Sequence, residues 1–185
     1  MPLRLILAIS ILFAACSSRP ALPSYEIVPD FQLTDQTGSR FSSKDKLDGK
    51  VWIANFIFTT CQGPCPRMTS QMGQIQRALP TSSDIRLVSF TIDPDHDTPE
   101  ALASYGQRFK ADPNRWWFLT GTKQDLNRLS YDAFHLSTIG GPLEHSTRFV
   151  LVDQKGRVRG YYDSSEQESM NKLVADAKDL AGEGG

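Results

Sequence analysis

The sequence predicts an α/β domain built on a mixed central sheet flanked by helices, with an N-terminal hairpin and a central insertion. Three observations predict it. Residues 51–58 (VWIANFIF) form a nearly continuous apolar run, the mark of a strand buried on both faces. A stretch of helical periodicity follows, and then a second apolar run at 85–92 (IRLVSFTI). The chain closes as strand, tight turn, strand and helix. Strands alternating with helices, then a hairpin and a last helix, give a mixed sheet covered on both sides.

In chain order, Phe31-Gln32-Leu33-Thr34 alternates apolar and polar, Asp35-Gln36-Thr37-Gly38 reads as a turn, and Arg40-Phe41-Ser42 completes a short hairpin. The strand at 51–58 leads directly into Cys61-Gln62-Gly63-Pro64-Cys65-Pro66. Proline is tolerated in a helix's first turn, where the N–H groups lack partners, so a helix should start near Pro64. Met68, Met72, Ile75 and Leu79 form its buried face, which makes both methionines core residues rather than thioether ligands. The strand at 85–92 ends at Asp93-Pro94. Thr98 is an N-cap with Pro99 at the first helical position, and Leu102, Tyr105 and Phe109 face inward. Residues 116–120 form a short strand, and Thr122 with Asp125 resembles a capping box opening a helix through Leu126 and Leu129. Residues 149–152 and 158–162 flank the turn Asp153-Gln154-Lys155-Gly156. The final helix buries Met170, Leu173, Val174, Ala177 and Leu180. The thioredoxin fold has this plan, with the first strand-turn-strand and residues 116–145 as additions.

A chain of 185 residues suits one domain plus a leader. Residues 5–15 are apolar apart from Ser10, too few to span a bilayer, which takes about 20. Their length and flanks fit a signal peptide. Leu12-Phe13-Ala14-Ala15-Cys16 resembles the lipobox of bacterial lipoproteins, with Phe13 where Leu or Val is usual. The expected organisation is a lipoprotein-type signal peptide (1–15), a lipidated tether (16–24), the domain (25–180) and a flexible tail (181–185). The mature protein is expected outside the cytoplasm, in the periplasm or on an extracytoplasmic face, anchored to the membrane through Cys16. The net charge of −1 argues against a nucleic-acid partner, which normally needs a basic stripe.

With Cys16 used by the leader, Cys61 and Cys65 remain. A helix N-terminus carries partial positive charge and free N–H donors, which favour thiolate over thiol. Positions i and i+4 face the same way, so both sulfurs converge on one ion or close a disulfide. For a third ligand, His145 lies in a loop before the strand expected beside that of Cys61. His96 lies in the charged loop 93–97, and His135 follows Phe134 at a helix end. Two thiolates and a histidine suit Cu(I), and Zn with a fourth ligand. The ligand set alone does not choose between them. Asp93 and Asp97 read as turn and helix-start acids, or as supports of the site or of a docking partner.

Phe58-Thr59-Thr60-Cys61-Gln62-Gly63-Pro64-Cys65-Pro66 resembles the aromatic-Thr-x-Cys-x-x-x-Cys-Pro motif of the SCO/SenC copper proteins. Residues 91–100 (TIDPDHDTPE) are similar to that family's strand-end segment, Trp116-Trp117-Phe118-Leu119-Thr120-Gly121 to its Trp-x-Phe-Leu-Thr-Gly, and Glu144-His145-Ser146 to its His-Ser/Thr before an apolar strand. Gln62 and Glu144 stand where proline and aspartate are common. The resemblance implies copper, as Cu(I) or Cu(II), bound by Cys61, Cys65 and His145. It also implies service to the dinuclear copper centre of cytochrome c oxidase, with the oxidase's copper-site subunit and other periplasmic copper chaperones as partners. The alternative role is a thiol-disulfide reductase in which Cys61 and Cys65 cycle through a Cys61–Cys65 disulfide, maintaining the oxidase cysteines or acting in redox signalling.

Overall fold

The strands predicted around the cysteine motif form the middle of a seven-stranded sheet. The computed structural model describes residues 21–136 and 146–182. Its elements are β1 (Gln32–Asp35), β2 (Arg40–Ser42), α1 (Ser43–Lys46), β3 (Val51–Ile57), α2 (Pro64–Ala78), β4 (Ile85–Thr91), α3 (Pro99–Arg108), β5 (Trp116–Thr120), α4 (Lys123–Asn127), a π-helical segment (Arg128–Ala133), β6 (Arg148–Val152), β7 (Val158–Asp163) and α5 (Gln167–Leu180). The signal peptide, Cys16 and His145 lie outside the described residues.

The strand order is β2-β1-β5-β4-β3-β6-β7. The central strands β3, β4 and β5 are parallel, while β6 and the β1–β2 hairpin join them antiparallel. This is the expected thioredoxin-like arrangement, with the hairpin added beyond β5. All seven β3 residues are buried, as the unbroken apolar run required. Ile53 and Ile57 face one layer with Met68, Met72, Leu102 and Leu173. Trp52, Ala54 and Phe56 face the other with Leu126, Leu129 and Phe134. One face of the sheet therefore carries α2, α3 and α5, and the other carries α4 and the π-helical segment. Helix α3 approaches β5 closely: a Cβ on Gly106 would meet the Phe118 ring at 2.9 Å.

Local signals act as read. Thr98 and Thr122 cap their helices through the Ala101 and Asp125 N–H groups at 3.3 and 3.1 Å, and Gly156 takes a left-handed φ of 71° in the β6–β7 turn. Two features differ from expectation. The helix after Thr122 widens into a π turn, closed by the Phe134 N–H donating to the Leu129 carbonyl at 2.9 Å. The extra residue per turn lets Leu129, Ala133 and Phe134 all stay buried. The second feature is at the start. Arg159 donates to the Pro23 and Leu22 carbonyls at 2.7 and 3.1 Å, and Leu22 packs on the core. The chain is thus held to the domain before Tyr25. No helix among the described residues is long and apolar enough to cross a membrane.

Candidate metal site

The site is set by the level at which two strands stop. Ile57 and Thr91 pair at the ends of β3 and β4, and the Ile92 N–H donates to the Ile57 carbonyl at 2.9 Å. The cysteine loop and the loop 92–98 therefore leave the sheet side by side, at the carboxyl ends of parallel strands, where α/β proteins commonly place ligands. Helix α2 starts at Pro64, with Gly63 as a cap that offers no side chain. Cys65 sits on its first turn, and Cys61 turns in just ahead through its N–H to the Phe58 carbonyl at 3.3 Å. The Gly63 N–H reaches the Cys61 Sγ at 3.4 Å. Both cysteines are buried, 8% and 1% exposed, and the Cys61 thiol lies close enough to help raise the Cys65 pKa.

Both are free thiols, not the Cys61–Cys65 disulfide that the sequence also allowed. The expected preference for thiolate fails at Cys65. Burial pushes its pKa up to about 12, against a backbone hydrogen bond with Phe58 that lowers it; the Cys61 thiol and the charge of Asp97 add to the rise. Dehydrating a thiolate there outweighs the helix terminus. Cys65 therefore rests protonated until something replaces the proton. A soft cation does this well: two adjacent sulfur donors in a dry pocket fit Cu(I).

Asp97 is fully buried. Its carboxylate accepts from the Thr59 N–H at 3.1 and 3.2 Å and from the hydroxyls of Thr59 and Thr91. It thus fastens the residue two before Cys61 to the end of β4. Asp93 differs: its carboxylate takes the His96 Nδ1 at 2.9 Å, which raises the His96 pKa through that hydrogen bond first and its charge second. Below the cysteines, the Thr69 hydroxyl donates to the Cys65 carbonyl at 2.8 Å and lies 3.1 Å from the Tyr105 hydroxyl.

The histidines separate cleanly. His96 is exposed and engaged by Asp93, and His135 pairs with Glu26 at 3.1 Å. Among the described residues no three His, Cys, Asp or Glu side chains cluster as a metal site. Strand β6 runs antiparallel to β3 with Ala54 opposite Val150. Continuing that register brings Ser146 level with Phe58, at the cysteine end of the sheet.

The SCO1/SenC family model matches residues 19–182, a range that takes in all the described residues. The chain belongs to the SCO1/SenC family. Three solved structures resemble this SCO1/SenC domain. A SCO1/SenC family lipoprotein from Bacillus anthracis is 39% identical, with a TM-score of 0.76 over 84% of this chain and 95% of that one. BsSco, described as a member of the Sco family of cytochrome c oxidase assembly proteins with a disulfide switch, is 29% identical, with a TM-score of 0.75 over 87% and 96%. Bradyrhizobium japonicum ScoI, solved with copper bound, is 25% identical, with a TM-score of 0.68 over 84% and 99%.

The sequence reading of this SCO1/SenC domain missed Thr59, Thr69, Thr91 and Tyr105 as supports of the cysteine loop. The Thr59–Asp97 and Thr69–Tyr105 contacts join residues 38 and 36 positions apart, so no local spacing announces them, whereas Thr91 meets Asp97 six positions on and Thr69 meets Cys65 four positions back. Thr59 stands within the cysteine motif, but its partner Asp97 emerges only when β3 and β4 are aligned.

Proposed function

We propose that this protein is a copper-binding metallochaperone for the dinuclear copper centre of cytochrome c oxidase, with the oxidase's copper-site subunit as its acceptor. The observation that carries this reading is the pair of buried free thiols of Cys61 and Cys65 at the start of α2. Copper-bound ScoI and the oxidase-assembly role given for BsSco support the cargo and the acceptor. Cys61 and Cys65 release their protons to solvent as the metal binds, and His145 is the third ligand. The β3–β6 register supports His145, since Ser146 follows it directly and β6 starts at the cysteine end of the sheet. Cys16 is the lipidation site, a reading supported by the lipoprotein from Bacillus anthracis. The site faces the periplasm or another extracytoplasmic compartment.

A second reading keeps the same two residues. Two buried free thiols four positions apart at one helix start can close a Cys61–Cys65 disulfide, and a disulfide switch is described for BsSco. In this role the dithiol pair reduces a disulfide between the acceptor's cysteines and is itself oxidised to the Cys61–Cys65 disulfide.

Anaerobic titration with Cu(I) tests the first reading. One tightly held ion per chain is expected, weakened in Cys61→Ala, Cys65→Ala and His145→Ala. Equal binding by all four proteins would refute it.

A further inference from the structure

We propose that Tyr25, Ile27 and Tyr161 form a membrane-contact patch that seats the anchored domain on the lipid headgroups with its cysteine end turned away from the bilayer. This rests on the lipidation of Cys16 proposed above.

Three large hydrophobic side chains are exposed among the described residues, and two of them stand together at the start of the domain: Tyr25 is 45% and Ile27 56% exposed. Single exposed apolar residues are ordinary on a protein surface, whereas grouped ones mark an interaction site. Here they are grouped. The Tyr25 ring lies edge-on to that of half-buried Tyr161, with centroids 5.4 Å apart, and Ile27 bridges Arg157 beside the edge strand β7. Tyrosine, with an apolar ring and a polar tip, suits the boundary between headgroups and acyl chains. The charges around it suit the same partner. Lys155 is exposed in the β6–β7 turn, and the Arg157 guanidinium donates to the Tyr25 carbonyl at 3.3 Å. Both cations fit anionic headgroups. Glu26, the acid between the two apolar residues, is taken by His135 at 3.1 Å.

Chain length selects the bilayer as the occupant. Cys16 stands six positions before Leu22, and Leu22 is held by Arg159 and packed on the core. Six residues reach about 20 Å at full extension, less than the roughly 40 Å breadth of a domain this size. The part of the domain beside Leu22 therefore stays against the membrane. Tyr25 follows three residues on, its N–H donating to the Val158 carbonyl at 2.9 Å. Val158 pairs with Val152, and Val152 with Trp52 near the start of β3. The cysteine loop leaves the other end of β3, beyond Ile57, about 17 Å along the strand. With the patch on the headgroups, the thiols are carried on the far side of the domain.

Quenching by brominated lipid tests this on the lipidated full chain, in vesicles of phosphatidylglycerol and a phosphatidylcholine brominated near the headgroup end of its acyl chains. Ile27→Trp puts a reporter in the patch. Glu100→Trp puts one on an exposed position at the start of α3, at the cysteine end. The native Trp52, Trp116 and Trp117 are buried, so the wild type gives the background. Ile27→Trp emission should fall about twofold on exchanging plain for brominated lipid, with Glu100→Trp unchanged. Equal quenching of the two, or no quenching of Ile27→Trp, overturns the proposal; the second result is what a protein partner on the patch would give. Should Ile27→Trp not fold, Tyr25→Trp decides by the same outcomes. Flotation separates this proposal from the one beneath it. A chain that floats with the vesicles unquenched at the patch overturns the patch alone. A chain that stays in the dense fractions refutes the anchor at Cys16 and the patch with it.

Discussion

The hydroxyls of Tyr105 and Thr69 lie 3.1 Å apart in the core, directly beneath the carbonyl of Cys65. Thr69 spends its only proton on that carbonyl, so Tyr105 donates to Thr69. Helix α3 thereby braces the first turn of α2. Tyr105→Phe removes one donor and leaves Thr69 satisfied, at a cost of about 1 kcal/mol. Thr69→Val orphans the buried Tyr105 hydroxyl as well, and should cost more, about 1–3 kcal/mol. Urea denaturation of the reduced, metal-free protein checks the order. Equal losses would mean the Tyr105 hydroxyl finds another partner.

The raised pKa of Cys65 fixes two pH dependences. Its thiol ionises near 9 when free of the fold and at about 12 within it. The folded state holds the proton more tightly, so this contribution to stability is complete below pH 9 and disappears as pH climbs toward 12. Metal-free protein should unfold at lower urea concentration at pH 10.5 than at pH 8, and Cys65→Ala should flatten that difference. Copper binding runs the other way. The metal must displace this proton, so apparent affinity should rise by about tenfold per pH unit between pH 6 and 8 for each thiol proton released. Titrations at three pH values measure it.

Arg159 holds the start of the described chain. Its guanidinium meets the carbonyls of Leu22 and Pro23 and, at 3.0 Å, the Asp153 carboxylate. Arg159→Ala should release residues 21–24 without opening the sheet. Amide hydrogen exchange is expected to accelerate at Tyr25, whose N–H donates to the Val158 carbonyl at 2.9 Å, while β3 and α2 keep their protection, with a global loss of about 1–3 kcal/mol. Loss of protection throughout would show that the segment is integral to the core.

Much of this was legible from the residues. The β3 run, the prolines opening α2, and Thr98 before Pro99 each carry a short-range signal with a single physical reading. The Cys61–Cys65 spacing announced a thiol pair at the start of one helix. Burial was not legible there: a sequence shows the helix terminus that favours thiolate, but not the dry packing that wins at Cys65. Nor was Asp97 legible in full. Its position at a strand end suggested a supporting acid, yet Thr59 became its partner only through the parallel β3–β4 register. The docking of Leu22 and Pro23 was hidden for a similar reason, because a polar, proline-bearing stretch reads as linker until Arg159 is placed beside it.

The π turn at Arg128–Ala133 separates the number of residues from the winding of the helix. Its extra residue is taken up locally, and Phe134 reaches an aromatic nest, with ring centroids 5.9, 5.7 and 5.8 Å from those of Trp52, Phe56 and Phe90. Winding the same residues as a plain α-helix would carry Phe134 round by about 100°, out of the nest. Removing one residue of the turn should instead leave an ordinary α-helical turn with Phe134 in place. A relative one residue shorter here should therefore keep the nest.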